Sequence, residues 1–103
     1  MLKIKNNELY ELDENGKEKK CIFDYNDVSR DAFLEGRYKL RVARIGEIQN
    51  KAKSSNRAMS AIEEQEINEC MNDCNAIVDY LRLNNIEFEF DDYGCVKLKN
   101  RVR

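Results

Sequence analysis

The sequence predicts an α+β fold: an antiparallel sheet, built from N-terminal strands and a C-terminal β-hairpin, packed against a two-helix hairpin. Both ends of the chain alternate apolar and polar residues with period two. The middle repeats apolar residues every three or four positions, and Asn and Gly sit at the seams between the patterns. At 103 residues the chain is expected to be one domain, 1–103, with no linker, internal repeat or low-complexity tract.

Residues 1–25 read as strands. Leu2 and Ile4 alternate with Lys3 and Lys5, Asn6-Asn7 offers a turn, and Leu9 to Leu12 offers the next strand. Asn15-Gly16 is the strongest hairpin signal, because both residues tolerate positive φ. Cys21-Ile-Phe-Asp-Tyr25 is expected to return alongside. Residues 29–53 read as a helix capped by Asp27 or Ser29. Leu34, Tyr38, Val42, Ile45, Ile48 and Ala52 make its apolar stripe. The short alternation Tyr38-Lys-Leu-Arg-Val42 also suits a strand, but the helical period persists for longer. Ser54-Ser55-Asn56 reads as a break and cap, followed by a second helix over 57–84. That helix carries Met59, Ile62, Ile67, Cys70, Met71, Cys74, Ile77, Val78 and Leu81 broadly along one side and ends at Asn84-Asn85. Residues 86–103 form the last hairpin. Ile86, Phe88 and Phe90 are expected to face inward together, Asp92-Tyr93-Gly94 turns, and Val96, Leu98 and Val102 return. On its polar face an acidic strand lies beside a basic one, which favours antiparallel pairing.

Composition restricts function. There is no histidine, the usual general base and a common metal ligand, and no proline. The four glycines are scattered, so no phosphate-binding loop exists. No apolar run is long enough to span a bilayer, and the first residues lack the apolar stretch of a signal peptide; no membrane association and a cytoplasmic location are expected. Charged residues make up 37% of the chain, yet the net charge is −2, so a polybasic binder is not expected.

Cys70-Met-Asn-Asp-Cys74, followed by a helix, a polar turn and the strand Ile86-Glu-Phe-Glu-Phe90, resembles the glutaredoxin and thioredoxin-like arrangement. That resemblance implies a redox dithiol at a helix N-terminus and a cis-proline facing it. The spacing here is Cys-x-x-x-Cys, four glutamates precede it within the helix, and the chain has no proline. The shared feature is therefore the helix–turn–strand pattern, and the two thiols are expected to behave as small buried hydrophobes. A zinc site completed by Cys21 and Cys95 is disfavoured, because only one cysteine pair is close and it lies on a helix. No cofactor, metal or catalytic residue is assigned, and the chain is not expected to be an enzyme.

Charge segregates between the helices. Residues 26–57 carry eight basic and four acidic side chains, whereas 58–85 carry six acidic and one basic. On the first helix Arg30, Arg37, Arg41, Arg44 and Lys51 fall within about 80° of one another at 100° per residue. These five are the candidate binding residues. Either they pair with the acidic helix, through Glu63, Glu66, Glu69 or Asp73, or they grip phosphates or an acidic protein. The expected function is a small protein-binding or regulatory protein with a protein partner. In size and charge it resembles, in type, phage- or mobile-element-encoded inhibitors such as anti-CRISPR proteins, or assembly factors. The alternative is a nucleic-acid-binding module using the first helix.

Overall fold

The computed structural model describes residues 1–21 and 27–99, with no account of the side chains of 27–29. Residues 22–25 of the strand expected over 21–25, the capping side chain expected at Asp27 or Ser29, and Val102 lie outside that description. The elements are β1 (Leu2–Lys5), β2 (Glu8–Leu12), β3 (Glu18–Lys20), α1 (Asp27–Ser54), α2 (Ala61–Leu83), β4 (Phe88–Phe90) and β5 (Val96–Leu98). The α+β class holds, with the two helices packed against each other and against strands. The strands, however, form two antiparallel sheets, β1-β2-β3 and β4-β5, where the sequence reading joined them in one.

Edge chemistry explains the division. Lys3↔Tyr10 and Lys5↔Glu8 face each other across β1 and β2, so the backbone groups of Leu2 point to the outer edge of β1. There α2 takes them: Leu2 N donates to Asp73 Oδ1 at 2.7 Å, and Asn72 Nδ2 donates to Leu2 O at 2.9 Å. The opposite edge, β3, is Glu-Lys-Lys, a composition that discourages further pairing. On the second sheet, Glu35 Oε2 accepts from Leu98 N at 3.2 Å and so occupies one amide on the outer edge of β5. The backbone groups taken by Asp73, Asn72 and Glu35 are not available to join the two sheets.

Local chemistry sets the boundaries. Asn6 and Asn7 both adopt positive φ, 53° and 65°, giving the tight two-residue turn that matches strand twist. At the second turn only Gly16 has positive φ, so Asn15-Gly16 belongs to a longer loop than expected. Asp13 N bonds Lys17 O, Gly16 N bonds Asp13 O, and Asp13 Oδ1 accepts from the backbone of Asn15 and Lys17. The turn at Asp91–Cys95 repeats this wiring: Asp91 N to Cys95 O, Gly94 N to Asp91 O, and Asp91 Oδ1 accepting from Tyr93 and Cys95.

Both helices end the same way. Asn56 and Asn85 adopt left-handed φ of 50° and 54°. Arg57 N returns to Ala52 O and Asn56 N to Lys53 O; Ile86 N returns to Leu81 O and Asn85 N to Arg82 O. This paired return closes the last carbonyls of a helix. The second helix starts later than the sequence reading placed it. Ser60, not Ser54 or Ser55, caps it, with Ser60 and Glu63 bonding each other's backbone N–H.

The core gathers Leu2 and Leu9 from the first sheet, Leu34 and Tyr38 from α1, Cys74, Ala76, Ile77 and Leu81 from α2, and Ile86, Cys95, Val96 and Leu98 from the second hairpin. Phe88 packs at its margin. Phe90 departs from the expectation: it remains 52% exposed, its ring touching Tyr38 and Phe88 at centroid distances of 6.3 and 5.7 Å. Alternation puts Phe90 on the inward-facing side of its strand, opposite the buried Val96, yet half of the residue stays in solvent.

Candidate functional site

The arginine stripe lies on the part of α1 that faces α2 and the first sheet. Asp73 is at its centre, fully buried at 0% exposure. Its Oδ1 accepts the Leu2 amide. Its Oδ2 accepts from Arg41 Nε at 2.7 Å and from Arg37 Nη1 at 3.5 Å. Both oxygens of this carboxylate thus have donors, as a buried charge requires. Arg37 also holds Glu11 with both terminal nitrogens and lies 5.4 Å over the Phe33 ring. Glu11 in turn accepts from the N-terminal ammonium at 3.1 Å. Burial opposes ionisation of Glu11, but Arg37 and that ammonium outweigh it, and its pKa falls below the usual carboxylate value.

Arg44 forms a two-pronged pair with Glu66, at 2.7 and 3.0 Å, and reaches Glu47 at 3.4 Å. Of the four acidic partners anticipated on α2, Glu66 and Asp73 meet the stripe. Glu63 instead binds Arg57, at 2.7 and 3.0 Å, beside the helix cap. That guanidinium, with the cap's backbone N–H, depresses the Glu63 carboxyl to about 2. Arg30 bonds its neighbour Asp31 at 3.1 Å. Lys51 is exposed in the last turn of α1, where a cation suits the helix dipole. Arg30 and Lys51 lie twenty-one positions apart on α1, roughly 31 Å, so the five candidates do not make one cluster.

One residue of this network, Glu11 from the first sheet, was not singled out by the sequence, and Asp73 was anticipated as a partner of the stripe but not as its hub. Asp73 did leave a signal. It falls among Cys70, Cys74 and Ile77 on the apolar side of α2, and a carboxylate in that position requires buried cationic partners.

The cysteines take the place expected of small hydrophobes. Cys70, Cys74 and Cys95 are buried, Cys21 is half-buried, and all four are free. Burial, reinforced by neighbouring Asp73, pushes the Cys74 thiol up to about 11, so it is not a ready nucleophile at neutral pH.

The second region of interest is the C-terminal hairpin. Among the described residues, the exposed large aromatic side chains are Phe90 and Tyr93, the latter 86% exposed in the turn. Lys99 N bonds Glu87 O and Asp91 N bonds Cys95 O, so the intervening Glu89 pairs with Lys97 and the N–H and C=O groups of Phe88 and Phe90 point away from β5. No hydrogen-bond partner takes those groups among the described residues. Among the described residues, too, no helix is long and apolar enough to cross a membrane. No known protein family matches the chain, nor does any curated protein or solved structure.

Proposed function

We propose that the chain is a small non-enzymatic protein-binding or regulatory protein, of the type found among inhibitors and assembly factors. The observation that carries the reading is the pair of exposed aromatic side chains, Phe90 and Tyr93, at the end of a hairpin beside the exposed carboxylates of Glu89, Asp91 and Asp92. Exposed aromatic residues beside polar surroundings are the usual anchors of protein interfaces. The engagement of Arg37, Arg41 and Arg44 by carboxylates supports a protein partner over nucleic acid, since those guanidinium groups are already neutralised.

The test compares the wild type with a Phe90→Ser/Tyr93→Ser variant. Proteins captured by the wild type are purified and titrated against both. Loss of about 2 kcal/mol or more, at least roughly thirtyfold in Kd, is expected for anchor residues. Fluorescence anisotropy with labelled duplex and single-stranded DNA and RNA runs in parallel at about 0.15 M salt. Sub-micromolar nucleic-acid binding that the aromatic variant retains overturns the reading.

A further inference from the structure

We infer that the outer edge of β4 accepts an extended segment of a partner protein as an added antiparallel strand, and that this segment alternates apolar residues with Lys or Arg. The inference rests on the protein-binding reading above and specifies its surface and its partner.

The backbone supplies the first reason. Phe88 and Phe90 each present one N–H and one C=O outward, the spacing that an added strand requires. The other sheet edges are partly occupied or charged: Leu2 of β1 is held by Asp73 and Asn72, the Leu98 amide of β5 by Glu35, and β3 is Glu-Lys-Lys.

Side chains supply the second. One face of β4 carries Phe88 and Phe90 and continues the buried face formed by Val96 and Leu98. The other carries Glu87, Glu89 and Asp91, all exposed. The strand already paired with β4 shows what complements it: Val96-Lys97-Leu98-Lys99, with Lys97 opposite Glu89 and apolar residues opposite the phenylalanines. An incoming strand of the same alternation meets the same row of carboxylates and the same aromatic rings from the free side.

Charge also decides against a second copy of this chain. Antiparallel self-pairing through the outward groups of Phe88 and Phe90 allows the registers Phe88 to Phe88, Phe88 to Phe90, and Phe90 to Phe90. These set Glu89 opposite Glu87, Glu89 or Asp91 of the other copy. Like charges placed directly opposite destabilise a sheet pair.

The experiment uses the full chain and two synthetic peptides, Lys-Val-Lys-Leu-Lys-Val-Lys and its counterpart with Glu at every Lys. Each is titrated to about 1 mM, because a short flexible strand carries its whole ordering cost on binding. Amide exchange and backbone chemical shifts are read by NMR. The lysine peptide is expected to slow exchange at the amides of Phe88 and Phe90, and methylating the peptide's Val and Leu nitrogens is expected to abolish this. A Glu89→Lys/Lys97→Glu exchange keeps the pair within the hairpin and reverses the charge shown to the newcomer. It should shift preference toward the glutamate peptide by roughly five- to tenfold.

Several outcomes overturn the inference: equal binding of both peptides by the wild type, indifference to N-methylation, shifts that map to α1 or β3, or sedimentation showing that the chain associates with itself through β4. The two readings separate on a captured protein. If it binds and the Phe90/Tyr93 variant loses it, yet the Phe88 and Phe90 amides exchange as fast as in the free chain, strand addition falls and protein binding stands. A chain that captures no protein removes both.

Discussion

The two sheets of this molecule share a turn and differ in what holds them. Asp13–Lys17 and Asp91–Cys95 use the same Asp-x-x-Gly-x wiring, with an aspartate side chain bonded to two backbone amides and a glycine at positive φ. Beyond the turns they diverge. The N-terminal sheet buries Leu2 and Leu9 in the core and adds a polar dock: Leu2 to Asp73 and Asn72, and Glu11 to Arg37. Its solvent face is laced with charge, Glu18 reaching Lys3 and Lys5, and Glu8 meeting Lys20. The C-terminal hairpin is fixed mainly by Val96 and Leu98 in the core, and one of its edges is open. A polar dock specifies where a strand edge goes. An apolar dock fixes only a face, and it leaves the edge available to something else.

Substitutions can break this comparison one side at a time. Leu98→Ala removes the apolar anchor of the second hairpin and is expected to cost about 2–5 kcal/mol, a large share of the roughly 5–15 kcal/mol typical of a domain. Asp73→Ala attacks the other side. It strips the Leu2 amide, Arg37 and Arg41 of their common acceptor. Because both arginines can reach water, the loss is expected at about 2–4 kcal/mol, toward the low side of that for breaking a buried pair. Denaturant titration measures both. A loss below about 1 kcal/mol for Asp73→Ala would show that polar docking is dispensable.

Gly16→Ala and Gly94→Ala probe what the sheets share. No atom crowds a methyl group at either position, so each cost reflects left-handed φ alone, about 1–2 kcal/mol. Equal losses confirm that the turns are equivalent; unequal losses break that part of the comparison. Phe90→Ala should cost only about 1 kcal/mol, since half the ring is already in water.

The smallest expected effect is an acid limb. Glu63 has a folded-state pKa of about 2 against an ordinary 4.5. A depressed carboxylate contributes stability above its unfolded value and loses it as pH falls through the folded one. Glu63→Gln should therefore flatten the loss of stability between pH 4.5 and 2 without altering either sheet. Thermal melts across that interval check it.

What was legible in the sequence follows the same line. The turn at Asn6-Asn7, the helix-ending Asn85, and the stripe from Leu34 to Ala52 depend on near neighbours, and local pattern reveals them. The Ser60-Ala-Ile-Glu63 capping box was equally local, but Ser54-Ser55-Asn56 drew the start of α2 too early, when its Asn closes α1 instead. For Arg41 and Arg44 the sequence leaves open pairing with the acidic helix or a binding role; in the structure they meet Asp73 and Glu66. The role of Asp73 as a hub was not readable, because its partners come from two separate elements, β1 and α1, distant in sequence. Phe90 marks another limit. Period two tells which way a side chain points, not whether anything lies there to cover it.

The bond from Leu2 to Asp73 spans 71 positions. The first strand therefore finds its dock only after two sheet turns and both helices have been arranged, and closing so long a loop is slow to repay its entropy. Docking of β1 belongs to the native side of the folding barrier, while the α1–α2 hairpin, whose contacts are nearer in sequence, belongs to the early side. In a chevron experiment Asp73→Ala should then speed unfolding and leave the folding arm nearly unmoved, with a φ-value near zero. The buried carboxylate acts as a latch: it governs how long the folded molecule lasts, not how quickly it forms.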